Sequence, residues 1–127
     1  MAIRTELTIR LPNSPGALAE VCRALADEHV DILALSVESS GQLRLLVDNP
    51  LHAASTLRER HHQVVEHDVL VTTAPNMPGG LAAILRLVSD AGVNVEHAYA
   101  GASGGAPTAT IVLATADALR AAAATGL

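Results

Sequence analysis

The sequence has no tryptophan and no phenylalanine, and Tyr99 is its only aromatic residue apart from the histidines. Single-stranded nucleic acid is usually held by stacking bases on aromatic rings, so that mode of recognition has little to work with here. Basic residues are also scarce: eight Lys and Arg stand against thirteen Asp and Glu, for a net charge of −5, and they are scattered rather than gathered on one face. Neither feature suits a phosphate backbone, and nucleic acid is not an expected partner. Cys22 is the single cysteine, which excludes an intrachain disulfide framework; inside an apolar helical pattern it reads as a small buried hydrophobe. No stretch approaches the ~18 consecutive apolar residues that cross a bilayer, and Met1–Glu6 carries no apolar signal region. A soluble, cytoplasmic chain without a membrane partner is expected.

Catalytic constellations are missing as well. The sequence has no G-x-x-x-x-G-K-[ST] loop, and the glycine-rich stretch Gly101–Gly105 lacks both the lysine and the following helix that would hold phosphate. No serine sits in a nucleophile-elbow or His–Asp context, and no carboxylate pair suggests acid–base work. The chain is therefore not expected to be an enzyme or to carry a cofactor. His61, His62 and His67, near Glu66 and Asp68, could suggest a metal. Their spacing crosses a predicted strand boundary and no cysteine joins them, so a solvated cluster is favoured and no metal site is expected.

What the 127 residues do have is apolar material, at 50% of the chain, and an internal repeat. Shifting Leu11–Ile32 by 63 positions onto Ala74–Val95 gives nine identities in 22 positions. These include Pro12/Pro75, Asn13/Asn76, Pro15/Pro78, Gly16/Gly79, Leu18/Leu81 and Val30/Val93. Two copies are too few for a solenoid and point to two similar small domains, 1–67 and 68–127.

Each copy reads alike. In the first, Leu7, Ile9 and Leu11 alternate with polar residues as a half-buried strand does. Pro12-Asn13-Ser14-Pro15-Gly16 breaks it, with Ser14 as the expected N-cap and Pro15 as the first helical residue. Leu18, Val21, Cys22 and Leu25 share one helical face. Strands follow over Ile32–Ser39 and Gln42–Val47; Asn49-Pro50 opens a helix with Leu51, Ala54 and Leu57 inward; Gln63–Glu66 is a short fourth strand. The second copy has a strand at Val69–Thr73 and a helix at Gly80–Ala91 burying Leu81, Ile84, Leu85 and Val88, with Gly92 where a left-handed cap is wanted. Strands at Val93–Ala100 and Thr108–Leu113 and a helix at Ala116–Ala124 follow. No convincing last strand comes after them. The fold class is α+β, antiparallel sheets with helices on one face. Joining the two sheets edge to edge is expected because a lone sheet of this size is marginal.

A βαββαβ unit with Asn-x-Pro-Gly between its first strand and first helix, and a Gly-Val-Asn-Val step into its second strand, resembles the ACT domain family. Pro75-Asn76-Met77-Pro78-Gly79-Gly80-Leu81-Ala82, with a strand of small residues ending near Tyr99, is similar to the small stand-alone two-ACT proteins of bacteria. The resemblance covers nearly the whole chain and implies two ferredoxin-like ACT units in tandem. It implies amino acids or other small metabolites as ligands, bound between paired units. One site would then hold Asn13, Ser14, Pro15, Gly16, Ala17 and Leu18 with Asn94 opposite. The other would hold Asn76, Met77, Pro78, Gly79, Gly80 and Leu81 with Asp31 opposite, and Tyr99 either walls a site or covers the sheet. Asp31 departs from the Asn-like residue common at that place in the family.

The chemistry of these residues points the same way. A helix N-terminus presents unpaired N–H groups and the positive end of a dipole to a carboxylate. Asn13 and Asn76 can donate and accept, and Asp31 suits an ammonium. The same loops also serve simply to stop a strand and start a helix. The leading reading is a small-molecule-binding regulator, most simply an amino-acid sensor and a homodimer, acting on a partner protein that the sequence does not identify. The alternatives are a structural or oligomerisation module without a ligand, and a metal-responsive regulator using the histidines.

Overall fold

The computed structural model describes residues 2–127. In chain order it contains β1 (Ala2–Arg10), α1 (Ala17–Asp27), β2 (Ile32–Val37), β3 (Gln42–Val47), α2 (Pro50–Glu59), β4 (Val65–Pro75), α3 (Gly80–Asp90), β5 (His97–Gly101), β6 (Thr108–Ala114) and α4 (Ala118–Thr125). These form two compact units: Thr5–His67, and Asp68–Leu127 together with residues 2–4.

In the first unit the antiparallel order is β2-β3-β1. Leu45 of β3 pairs with Leu7 on one side and Leu35 on the other, and Leu43 pairs with Ile9 and Val37. Directly opposed residues project to the same face, so the alternation of β1 and β3 delivers one apolar layer. That layer meets Val21 and Leu25 of α1 and Ala53, Ala54 and Leu57 of α2 in a single cluster. Leu7, Leu25, Leu43, Leu45 and Leu57 are fully buried. Each such side chain contributes roughly 1.5–3 kcal/mol relative to exposure.

The second unit repeats the plan with β4-β6-β5. Leu70 pairs with Leu113, Thr72 with Ile111 and Tyr99 with Val112. Its core holds Leu70, Val88, Ile111 and Leu113, and the last helix adds Ala118 and Ala121, with Ala122 packed against them.

Three expectations are corrected here. The separate strands Gln63–Glu66 and Val69–Thr73 are one continuous strand, β4. Nothing between Val64 and Leu70 is a Gly, Pro or Asn, so no residue stops the chain there. The unit boundary runs through this strand, and β1 is divided likewise. Ile3 of β1 belongs to the second unit and packs on its core. Leu51 and Leu81, expected inward, are 79% and 44% exposed. Both lie in the first turn of their helices, and each apolar stripe is buried only further along. Strand β5 starts at His97 rather than Val93, although Val93 and Val95 pack against the core from the preceding turn.

Candidate functional site

The two loops that join β1 to α1 and β4 to α3 have the same backbone. Gly16 and Gly79 are the N-caps, both at φ 86°, with ψ of −11° and −10°. That left-handed conformation is one only glycine adopts without strain. In the first loop Ser14 N–H donates to Pro12 O at 2.9 Å, Ala17 N–H to Ser14 O at 3.3 Å and Glu20 N–H to Gly16 O at 2.9 Å. In the second, Met77 N–H donates to Pro75 O at 2.9 Å, Gly80 N–H to Met77 O at 3.0 Å and Ala83 N–H to Gly79 O at 3.0 Å. Position by position the bonds are the same. The expectation that Ser14 caps the helix with Pro15 as its first residue is thereby corrected: the helix begins at Ala17, and Ser14 instead lends its carbonyl to the turn before it.

A glycine cap has no side-chain oxygen. Neither α1 nor α3 has a side-chain cap hydrogen bond, so the N–H groups of Leu18 and Ala19, and of Leu81 and Ala82, point out of their helix ends without an intrahelical acceptor. The other two helices contrast with this. Asn49 caps α2 by accepting from His52 N–H, and Asp117 caps α4 by accepting from Arg120 N–H. Among the described residues, the helices behind the repeated Pro-Gly turns are the ones without a side-chain cap.

The surroundings of the two open ends differ. Glu20 lies in the first turn of α1, whereas α3 has no acidic residue in its first turn and carries Ala83 at that position. Asn13 is exposed, and its side chain makes no hydrogen bond among the described residues. Asn76 is engaged: its amide nitrogen donates to Ala106 O at 2.9 Å and Ser103 O at 3.4 Å, and its backbone N–H donates to Pro107 O at 3.0 Å. Asn76 thus fastens the loop to the β5–β6 hairpin, a role the sequence gave no reason to assign. Gly80 is also constrained by its neighbours. A Cβ on it would lie 2.0 Å from Pro75 O, although its counterpart in the first loop is Ala17.

Ser14, Pro15, Met77, Pro78 and Leu81 are exposed, and Ala17 and Leu18 are half-buried. Asp31 and Asn94 stand exposed in the turns after α1 and α3. Each helix separates that turn from its own unit's loop by eleven residues, about 16 Å at 1.5 Å per residue, so no unit brings the two together by itself. Asp48 braces the Asp31 turn: its carboxylate accepts from Asp31 N–H at 2.9 Å and its N–H donates to Asp31 O at 3.1 Å. Asn94 lines an open recess of about 510 Å³ with Leu85, Val88, Val95 and Ala98. Tyr99 is half-buried on β5, its ring stacked on His97 with centroids 6.4 Å apart. Among the described residues no group of three or more His, Cys, Asp or Glu is placed to hold a metal ion, so His61, His62 and His67 do not converge.

Two antiparallel α+β units, each opening its first helix on a glycine-capped turn, make this a duplicated small domain of the ferredoxin-like kind. The chain belongs to the ACT domain family, whose model matches it twice, at residues 5–61 and 67–125. Among solved structures it is similar to protein BT0572 from Bacteroides thetaiotaomicron, with 31% identity, a TM-score of 0.89, and 98% of this chain and 87% of that one covered. The fold is shared with the regulatory subunit of aspartate kinase from Thermus flavus at 18% identity and a TM-score of 0.69, covering 98% and 94% of the two chains. The corresponding subunit from Thermus thermophilus, in a ligand-free form, gives 18% identity and a TM-score of 0.72, covering 98% and 92%. No curated protein matches the sequence.

Proposed function

We propose that this protein is a regulatory, non-catalytic binder of a free amino acid, and that the ligand's carboxylate sits on the open N-terminus of α1 or α3. The observation that carries the reading is the contrast in capping: the repeated loops leave Leu18, Ala19, Leu81 and Ala82 N–H without acceptors, while α2 and α4 are closed by Asn49 and Asp117. Backbone donors at a helix end favour a carboxylate through both hydrogen bonding and the dipole. The fold shared with aspartate kinase regulatory subunits supports a regulatory role.

In this reading Asn13, Ser14, Pro15, Gly16, Ala17 and Leu18 form one site, and Asn76, Met77, Pro78, Gly79, Gly80 and Leu81 the other. An acceptor for the ammonium comes from the turn of a facing ACT unit, Asp31 or Asn94, brought up by dimerisation, with Tyr99 as a wall. Asn76 acts here mainly as a positioning residue. The homodimer has an observation of its own: β2 exposes Leu33, Leu35 and Val37 at 48%, 38% and 46%, and no charge interrupts Ile32–Val37. An uncharged, apolar edge strand of this kind is normally covered. The protein acts in the cytoplasm; no helix among the described residues is long and apolar enough to cross a membrane.

A thermal-shift screen against the twenty amino acids, followed by calorimetry on any that stabilise, tests the proposal. A concentration-dependent rise in Tm with one amino acid, lost on adding bulk at Gly79, is the expected result. No shift with any of the twenty would leave the loops as strand-to-helix connectors and nothing more.

A further inference from the structure

The two units differ in how the second helix of each is held. Matched at their N-caps, Asn49 and Asp117, α2 and α4 align so that His52 corresponds to Arg120, Leu57 to Thr125 and Arg58 to Gly126. In the first unit these residues tie α2 down. Leu57 is fully buried in the core, and His52 Nε2 stands 3.5 Å from Oε1 of Glu28, the residue that closes α1. Arg58 Nη2 donates to Val64 O at 3.2 Å and to Glu66 Oε2 at 3.4 Å.

Those ties have no counterpart in α4. Ala91 stands at the place of Glu28, so Arg120 meets no carboxylate there, and Gly126 has no side chain to reach out with. The side-chain hydrogen bonds of α4 are local: Asp117 accepts from Arg120 N–H at 3.1 Å, and Thr125 Oγ1 donates to Ala121 O at 2.8 Å. Its share of the core is methyl groups, from Ala118, Ala121 and Ala122, while Leu119 is 70% exposed. A recess of about 280 Å³ remains between α4 and the turn after α3, lined by Ala91, Asn94, Asp117, Arg120, Ala121 and Ala124. A helix of eight residues is marginal in water without tertiary support, and a segment with few buried apolar contacts opens at low cost.

We propose that α4 is a flap, which opens and closes as one body while the sheet and α3 of the second unit stay folded. Closed, it walls the recess that Asn94 lines and completes the apolar cluster of Val88, Ile111 and Leu113. Open, it uncovers that cluster and takes one wall away from the Asn94 turn. The second unit then has two states where the first has one. This switch requires no ligand at the loops and does not rest on the loop reading.

The test is native-state hydrogen exchange of the full chain, followed by amide NMR at a series of low urea concentrations. The amides of Ala122–Thr125 should share one protection factor, about a hundredfold or more below those of Ile111 and Leu113, and it should depend only weakly on urea. The matching amides of α2, Ala54–Leu57, should be protected like Leu43 and Leu45 in the sheet of their own unit. Thr125→Leu restores the residue that anchors α2 and should raise protection in α4 about tenfold. Ala91→Glu sets a carboxylate at the place of Glu28 and should raise it about threefold. Both should leave Ile111 and Leu113 unchanged. Protection in α4 equal to that of Ile111 and Leu113, with the same urea dependence, overturns the proposal, because the helix then opens only with its unit. So does a gradient falling from Ala122 to Thr125, which is the fraying of a helix end, or exchange in α4 that neither variant slows.

Discussion

If a carboxylate binds at the open end of α3, a negative charge added to the first turn of that helix should have two effects of opposite sign. Ala83 is exposed and occupies the position held by Glu20 in α1, so Ala83→Glu places a carboxylate where the fold already accepts one. In the unliganded protein this charge lies near the positive end of the helix dipole and stabilises it by roughly 0.3–1 kcal/mol. Toward a bound carboxylate it is repulsive. Position 83 lies within the same first turn as Leu81 and Ala82, and we take the added carboxylate to stand about 5.4 Å, one helical pitch, from a carboxylate held on their N–H groups. Two unit charges at that separation repel by about 0.8 kcal/mol in bulk water and about 3 kcal/mol at an effective dielectric of 20. Because Ala83 is exposed, the lower figure applies more nearly, and about 1 kcal/mol is expected, close to a fivefold loss of affinity.

The assay is calorimetry with whichever amino acid the screen identifies, run beside thermal unfolding of the unliganded variant. Tm should rise slightly or stay level while Kd increases about fivefold. The Kd effect should shrink as salt is raised from 0.01 to 1 M and the Debye length falls from about 30 to 3 Å. A variant whose unliganded Tm rises but whose Kd is unchanged would falsify the placement of the carboxylate at this helix end. A fall in both Tm and affinity would show instead that the added side chain disturbs the loop.

Three further outcomes follow from differences between the two copies. His29 closes α1 at φ 59°, where Gly92 closes α3 at φ 72°; His29→Gly should raise stability by about 0.5–1 kcal/mol and Gly92→His should lower it by a similar amount, read by urea unfolding. The open space around Gly92 makes that pair a test of backbone conformation alone. Gly80→Ala drives a Cβ onto the Pro75 carbonyl and should cost roughly 1–3 kcal/mol, whereas Ala17→Gly at the matching position should cost less than ~1 kcal/mol; equal effects would mean the loops are not constrained differently. Asn76→Ala should cost about 1 kcal/mol and accelerate hydrogen exchange in residues 102–106, since its amide holds Ser103 and Ala106; unchanged exchange there would show that the hairpin is held by other contacts.

The repeat, the helix faces of Val21, Leu25 and Val88, and the caps at Asn49 and Gly92 were legible because each rests on local chemistry. Periodicity locates a buried stripe, and Asn before Pro or Gly after a helix has a steric reason to be where it is. The start of α1 departs from its local signals for a related reason. Ser14-Pro15 satisfies the preference for a hydroxyl cap followed by proline, and nothing local announces that Gly16 turns left-handed and takes the cap instead. The continuity of β4 is hidden by the repeat, which suggests one strand for each unit, while a chain without a turn residue has no means of separating them. Residues 2–4, which complete the second unit, and Asn76, which reaches the hairpin some thirty residues on, depend on tertiary placement. No window of sequence contains those contacts.

The loops also show what duplication conserved and what it released. The left-handed glycine, the three turn hydrogen bonds and the open helix end are the same in both copies. What differs is every group that sets the field and freedom around them: Glu20 against Ala83, Ala17 against Gly80, an unengaged Asn13 against a fastened Asn76. A structural connector needs only the backbone, and its surroundings drift without consequence. A pair of binding sites needs the backbone too, but the flanking charge then sets relative affinity, weakening the α1 end toward a carboxylate and favouring the α3 end. The two readings therefore part on one measurement. If Glu20→Ala strengthens binding at Leu18 and Ala19 by about the fivefold that Ala83→Glu removes at Leu81 and Ala82, the divergence tunes two sites. If neither substitution changes any affinity, the open helix ends are only the way this chain turns from strand to helix.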